Sequence, residues 1–168
     1  MKNKSFLIGY LSGLIVAIVV GLYFLVAAST PPEYSLNNFS FVDLNGNTIG
    51  ANELKGKSVV INFWATWCGP CLREMPRIKN AIEILKQDDV VFLIATDEPI
   101  ERVVKYKNKR NIELPFCTFS LNAGANPMPQ SRPQTYIFDK SGKLVYNRTG
   151  AFAWDDKAIV DKLKSFLR

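Results

Sequence analysis

Hydrophobic positions along this chain group into runs of very different length. Phe6 to Ala28 is 23 residues without a charged side chain, long enough at about 1.5 Å per residue to cross a hydrocarbon core of about 30 Å. This predicts a transmembrane helix, with residues 1–28 as a cytoplasmic N-terminus and membrane anchor. Lys2 and Lys4 precede it and no Lys or Arg follows until Lys55, so the positive-inside bias places the remainder outside. Val26-Ala27-Ala28 would also suit a signal peptidase, but the apolar run exceeds the roughly 7 to 15 residues of a signal h-region, which favours an uncleaved anchor. Residues 29–38, with Pro31-Pro32 and polar neighbours, read as a linker, and 39–168 as one folded domain.

Within that domain the runs are short. Phe39 to Leu44 predicts a strand turning at Asn45-Gly46, and Ala51 to Leu54 a helical turn. Val59 to Trp64 and Val90 to Ala95 are continuous apolar segments, the pattern of strands buried on both faces. Leu72, Met75, Ile78, Ala81, Ile82 and Leu85 recur at helical spacing between them, giving a βαβ unit with parallel strands. Asp97 and Pro99 mark the start of a helix running to about Arg110, and a strand is expected near Phe116 to Phe119 and a hairpin of Thr135 to Asp139 with Lys143 to Asn147 after the proline-rich passage Pro127 to Pro133. Asp155 or Asp156 caps a last helix with Ile159, Val160, Leu163, Phe166 and Leu167 on one face.

Composition narrows the chemistry. The 168 residues contain no histidine, which excludes Ser-His-Asp and Cys-His catalysis and histidine metal sites. Three cysteines alone fall short of a four-ligand zinc site, so no metal is expected. The net charge of +6 is scattered, and its one dense cluster, Lys105, Lys107, Lys109 and Arg110, reads as a wet helix face and not as a nucleic-acid site.

Cys68-Gly69-Pro70-Cys71 falls where a buried strand passes into a helix. Unpaired N–H groups and the positive dipole end at a helix start favour thiolate over thiol. Pro70 suits the first helical turn and Gly69 keeps the approach to sulfur open. Cys68 is expected to be the exposed nucleophile, with Cys71 one turn further in, shielded and placed to resolve a mixed disulfide. A purely structural bond is disfavoured because so short a loop removes little unfolded-state entropy. No cofactor is needed beyond this redox-active Cys68–Cys71 disulfide. The third cysteine, Cys117, sits in Pro115-Phe116-Cys117-Thr118-Phe119 and reads as a small buried hydrophobe.

Asn62-Phe63-Trp64-Ala65-Thr66-Trp67-Cys68-Gly69-Pro70-Cys71, followed by Glu74 and Pro76, resembles the thioredoxin superfamily. More narrowly it resembles the membrane-anchored, extracytoplasmic branch of TlpA- and ResA-like thiol-disulfide oxidoreductases, over about residues 36 to 168. The resemblance implies a thioredoxin-like α/β fold with a central mixed β-sheet flanked by helices and an N-terminal β-hairpin extension. It implies Cys68 as attacking thiol, Cys71 as resolving thiol, Trp67, Gly69 and Pro70 as motif residues, Pro133 as a cis-proline facing the dithiol, Pro76 as a helix-kinking proline, and Glu74 as an acid that tunes the cysteines. It also implies disulfides of exported proteins, apocytochrome c among them, as substrates, a membrane thiol-disulfide transporter as electron donor, and the bacterial cytoplasmic membrane as location.

Three positions depart from the pattern. Asn62 stands where cytoplasmic thioredoxins carry a buried aspartate. Arg132 precedes the cis-proline where a smaller residue is usual, and Gln134 follows it where threonine is frequent. An Arg132 near Cys68 would favour the thiolate and make the disulfide more oxidising, whereas an Arg132 in solvent would do nothing to it. The leading expectation is therefore a disulfide reductase. A disulfide oxidase or isomerase of the same fold, and a redox-linked binding or assembly protein, are the alternatives. Because Asn62 cannot ionise, Glu74 is the nearest group in sequence to exchange a proton with Cys71.

Overall fold

A computed structural model describes residues 2–29, 34–122, 129 and 131–167. Contacts divide the chain into two units, residues 1–33 and 34–168. The first contains α1 (Lys2–Ser29), a single helix of 28 residues. Its Ile8–Leu25 segment is long and apolar enough to cross a membrane.

The second unit begins earlier than the sequence suggests. Tyr34 to Asn38, expected as linker, are fastened to the domain: Ser35 bridges Lys143, the Leu36 N–H donates to the Gly142 carbonyl at 2.9 Å, and the Leu36 side chain is buried. One apolar side chain among polar neighbours is too little pattern to distinguish a docked turn from a tether. Residues 30–33 of the expected linker, and residues 127, 128 and 130 of the proline-rich passage, lie outside the described residues.

Seven strands form one mixed sheet in the order β2-β1-β5-β4-β3-β6-β7. These are β1 (Phe39–Asp43), β2 (Thr48–Ile49), β3 (Ser58–Phe63), β4 (Val90–Thr96), β5 (Phe116–Leu121), β6 (Gln134–Phe138) and β7 (Leu144–Thr149). β3, β4 and β5 run parallel, while β6 pairs antiparallel with β3 and β1 antiparallel with β5. The β1–β2 hairpin thus extends the sheet at the edge beyond β5. Its Asp43 carboxylate accepts the Asn45 and Asn47 N–H groups, which closes the turn. Around the sheet lie α2 (Ala51–Leu54), α3 (Gly69–Ile84), α4 (Ile100–Arg110) and α5 (Lys157–Phe166), the last capped by Asp156.

Strand alternation sorts the core into two clusters. Val60 and Trp64 of the β3 segment join Met75, Ile78, Val103 and Leu163 of the long helices, whereas Val59, Ile61 and Phe63 join Phe39, Phe41 and Leu54. By the period of two, Asn62 shares the face of Val60 and Trp64, which is the face covered by α3.

Candidate redox site

β3 delivers the chain to the site and Trp64 fixes it there. Its backbone N–H donates to the Ala95 carbonyl and its indole Nε1–H to the Ile94 carbonyl at 3.2 Å, both on β4. The chain then turns through Cys68 N–H to Ala65 carbonyl and enters α3, with Cys68 as N-cap. Cys68 Sγ accepts from the Cys71 N–H at 3.3 Å, so the sulfur occupies the position a serine or aspartate oxygen takes in an ordinary helix cap. Cys68 and Cys71 are joined as a disulfide with Cα atoms 5.3 Å apart.

Cys71 is shielded as expected, at 1% exposure. Cys68 corrects the expectation of an exposed nucleophile: it is only 4% exposed. Folding back as a cap over the helix start hides most of the residue. The open surface comes from its neighbours, Trp67 at 73% exposure and the exposed Gly69 and Pro70. α3 continues through Pro76, whose missing N–H leaves the Leu72 carbonyl without an intrahelical donor.

Behind the disulfide lies a buried polar network. Glu74 is 2% exposed. Its Oε1 accepts from Asn62 Nδ2 at 2.9 Å, and its Oε2 accepts from the Phe152 N–H at 2.9 Å and Trp154 Nε1 at 3.2 Å. Asn62 Nδ2 also lies 3.4 Å from Thr135 Oγ1. Burial raises the Glu74 pKa above the ordinary carboxylate value, against the three donors, which lower it. The amide that interrupts the apolar strand is therefore a hydrogen-bond donor to a buried carboxyl group.

A second buried acid was missed by sequence reasoning. Glu98, 7% exposed, accepts the Thr66 N–H at 2.6 Å through Oε2 and the Thr66 Oγ1 hydroxyl at 2.8 Å through Oε1, while Arg102 Nη1 reaches Oε1 at 3.0 Å. It thereby ties the loop before Cys68 to the β4–α4 turn. The signal was available in the topology: β3 and β4 are parallel neighbours, so residues just past their carboxyl ends meet. Phe152 and Trp154 were also missed, since nothing local links them to a helix about eighty residues earlier.

The Arg132–Pro133 peptide bond is cis. Pro133 precedes Gln134, whose partner across the sheet is Phe63, so it stands at the end of β3 from which the redox loop departs. Arg132 does not point into solvent. Its side chain is 8% exposed, with Nη2 3.4 Å from Asp97 Oδ1 and Nη1 donating to the Pro129 and Ser131 carbonyls at 2.8 and 3.2 Å. A carboxylate on the neighbouring turn, unreadable from local sequence, takes the charge. Gln134 donates to Asn147 Oδ1.

Cys117 is fully buried in the cluster on the opposite face of the sheet, and burial pushes its thiol up to about 12. The α4 cluster follows the wet-face reading: Lys107 pairs with Glu113 at 3.0 Å, and Lys107, Lys109 and Arg110 fall in the last turn, where they complement the helix dipole.

Comparison with known proteins agrees with this geometry. The Redoxin family matches residues 31–163. The chain is 33% identical over 134 residues to thiol-disulfide oxidoreductase ResA of Geobacillus thermodenitrificans, covering 76% of this chain and 72% of that protein. It is also 33% identical over 114 residues to ResA of Bacillus thuringiensis, covering 64% of each. A crystal structure of a thioredoxin-family thiol:disulfide interchange protein from Chlorobium tepidum covers 81% of this chain and 97% of its own, with TM-score 0.61 at 23% identity.

Proposed function

Because the chain belongs to the Redoxin family and is a ResA-like thiol-disulfide oxidoreductase of the thioredoxin superfamily, we propose that it works as a membrane-anchored reductase of disulfides in exported proteins. α1 would hold it in the bacterial cytoplasmic membrane, with Lys2 and Lys4 inside and the catalytic domain on the extracytoplasmic side. Apocytochrome c, with its paired cysteines, belongs to the client class, and a membrane dithiol transporter is the class of donor required.

In the reduced enzyme the Cys68 thiolate attacks one client sulfur and expels the other as a thiolate, forming a mixed disulfide. The Cys71 thiolate then attacks Cys68 Sγ, releases the second client sulfur and closes the Cys68–Cys71 bond. Two electrons and two protons pass to the client. The proton on Cys71 needs an acceptor, and Glu74, one helical turn away with its pKa raised by burial, is the group we assign to it.

The observation that supports this reading best is the disulfide itself, between a helix N-cap and the first turn, at the end of a central parallel strand. Arg132 is the feature that favours an oxidase, and its pairing with Asp97 weakens that alternative. The test is the reduction potential of the dithiol together with its state in cells by thiol alkylation. A low potential and largely reduced cysteines are expected. A potential near that of strong oxidants, about −120 mV, with the pair oxidised in vivo, would refute the reductase direction.

A further inference from the structure

Two arginines on α3 serve the helix poorly. Arg73 and Arg77 lie four residues apart, a spacing at which like charges repel on a helix. Arg73 reaches back over the helix start, its Nη1 3.5 Å from where a Cβ on Gly69 would sit, and a cation there opposes the positive end of the dipole. No carboxylate pairs with Arg73 among the described residues, whereas Arg77 Nε lies 3.7 Å from Asp155 Oδ1.

Both arginines line a groove of about 290 Å³ whose other walls are Pro70, Glu74 and Ala151 to Ala153. Pro70 stands between the two cysteines, so the groove begins at the disulfide. A third guanidinium, that of Arg148, lies 4.7 Å over the Phe152 ring at its border. The acids nearby are spoken for: Glu74 is committed to Asn62, Phe152 and Trp154, and Asp155 to Arg77 and Asn80. Two guanidinium groups thus line a partly apolar trough and a third lies on one of its walls, with no free carboxylate among the described residues that form it.

We propose that this groove docks an acidic stretch of the client polypeptide, close in sequence to the client cysteine that Cys68 attacks. The proposal rests on the reductase reading above and adds the client's chemistry. Arginine forks take carboxylates in bidentate geometry, and complementary charge at a rim raises the association rate more than it tightens the complex. Spacing sets the register. Arg73 and Arg77 lie about 7 and 13 Å along the helix from Cys68 at 1.5 Å per residue. In an extended client advancing about 3.3 Å per residue, the matching carboxylates fall about two to four residues from the cysteine.

The test uses the full chain, reduced, in phosphatidylcholine bilayers, in single-turnover reactions with three disulfide peptides. They share one core and carry Asp/Glu, Ser/Asn or Lys two to four residues from the cysteine, and uncharged 2-hydroxyethyl disulfide reports intrinsic thiol reactivity. At low ionic strength the acidic peptide should react about tenfold faster than the basic one, with the advantage shrinking as salt is added. The R73E/R77E variant should reverse the order once each peptide rate is divided by the same protein's rate with 2-hydroxyethyl disulfide, as rim charges act mainly on association. Equal rates for the three peptides would overturn the docking proposal alone, and failure to reduce any of them would overturn the reductase reading. If R73E/R77E slows the small disulfide as much as the acidic peptide, the arginines act on the Cys68 thiolate and the docking role is refuted. Charge-blind peptide rates, with protection of residues 69–77 from hydrogen exchange appearing on addition of phosphatidylglycerol, would refute it in favour of lipid.

Discussion

Replacing Asn62 with aspartate would put two carboxyl groups in contact. Asn62 Nδ2 lies 2.9 Å from Glu74 Oε1, and both residues are buried. At low pH the introduced carboxyl group, protonated, could donate to the same oxygen, so Asn62→Asp should cost little there. At higher pH the second proton must leave against the first charge. At 2.9 Å and an effective dielectric of about 20, that repulsion is about 6 kcal/mol, or about four pK units. The pair's second ionisation in the folded state is then raised well above the ordinary carboxylate range. The sign follows from linkage: a group whose pKa is raised on folding contributes stability that is complete below its unfolded pKa and lost as pH rises toward the folded one. Asn62→Asp should therefore match the parent near pH 4 and fall behind it by about 1.4 kcal/mol per pH unit, reaching about 5 kcal/mol by pH 8. That is comparable to the whole stability of a small domain. Urea titrations of oxidised parent and variant from pH 4 to 8 measure the difference directly. A difference that stays constant across this range would refute the contact between position 62 and Glu74, and with it our account of the strand's one amide.

Removing the Glu98 carboxylate by Glu98→Ala leaves the Thr66 N–H and hydroxyl without their partner and should cost about 1–3 kcal/mol, read as a lower urea midpoint. It should also slow reduction of 2-hydroxyethyl disulfide, because the loop entering Cys68 is no longer held. Trp154→Phe deletes one of the three donors to Glu74. The Glu74 pKa should rise further, seen as a protonated-carboxyl infrared band persisting to higher pH than in the parent. In the reduced native protein at pH 8, iodoacetamide should label Cys68 and spare Cys117, whose buried thiol is pushed up to about 12. Peptide mapping reads both, and labelling of Cys117 at the Cys68 rate would contradict its placement in the core.

Most of the fold was legible because its signals are local. The unbroken apolar runs of β3 and β4, the helical spacing of Leu72 to Leu85 and the Asn45-Gly46 turn each announce an element without reference to the rest of the chain. The strand-to-helix placement of Cys68 and Cys71 was legible for the same reason. Glu98, Phe152 and Trp154 were not, since each meets the site only through sheet order or the return of the chain after β7. Burial of Cys68 depends on the torsions of a single cap residue, which no pattern of hydrophobicity encodes.

Asn62 and Arg132 show what kind of information was missing. Both stood out as departures from a familiar pattern: for Arg132 sequence offered a direct effect on the thiols, and for Asn62 only the lack of an ionisable group. In the structure each polar group instead answers to another charge: the Asn62 amide donates to Glu74, and the Arg132 guanidinium faces Asp97. A buried polar side chain must find a partner before it can influence a neighbour, and the partner determines how much of its field remains. For Arg132, pairing with Asp97 opposes the cation that would have favoured a thiolate. For Asn62, donation to Glu74 helps the carboxyl ionise, against the burial that keeps its pKa raised. The protonation of Glu74 therefore depends on its burial and its three donors as a unit. Single substitutions within that set should be non-additive, because removing any one donor changes the charge state on which the others act.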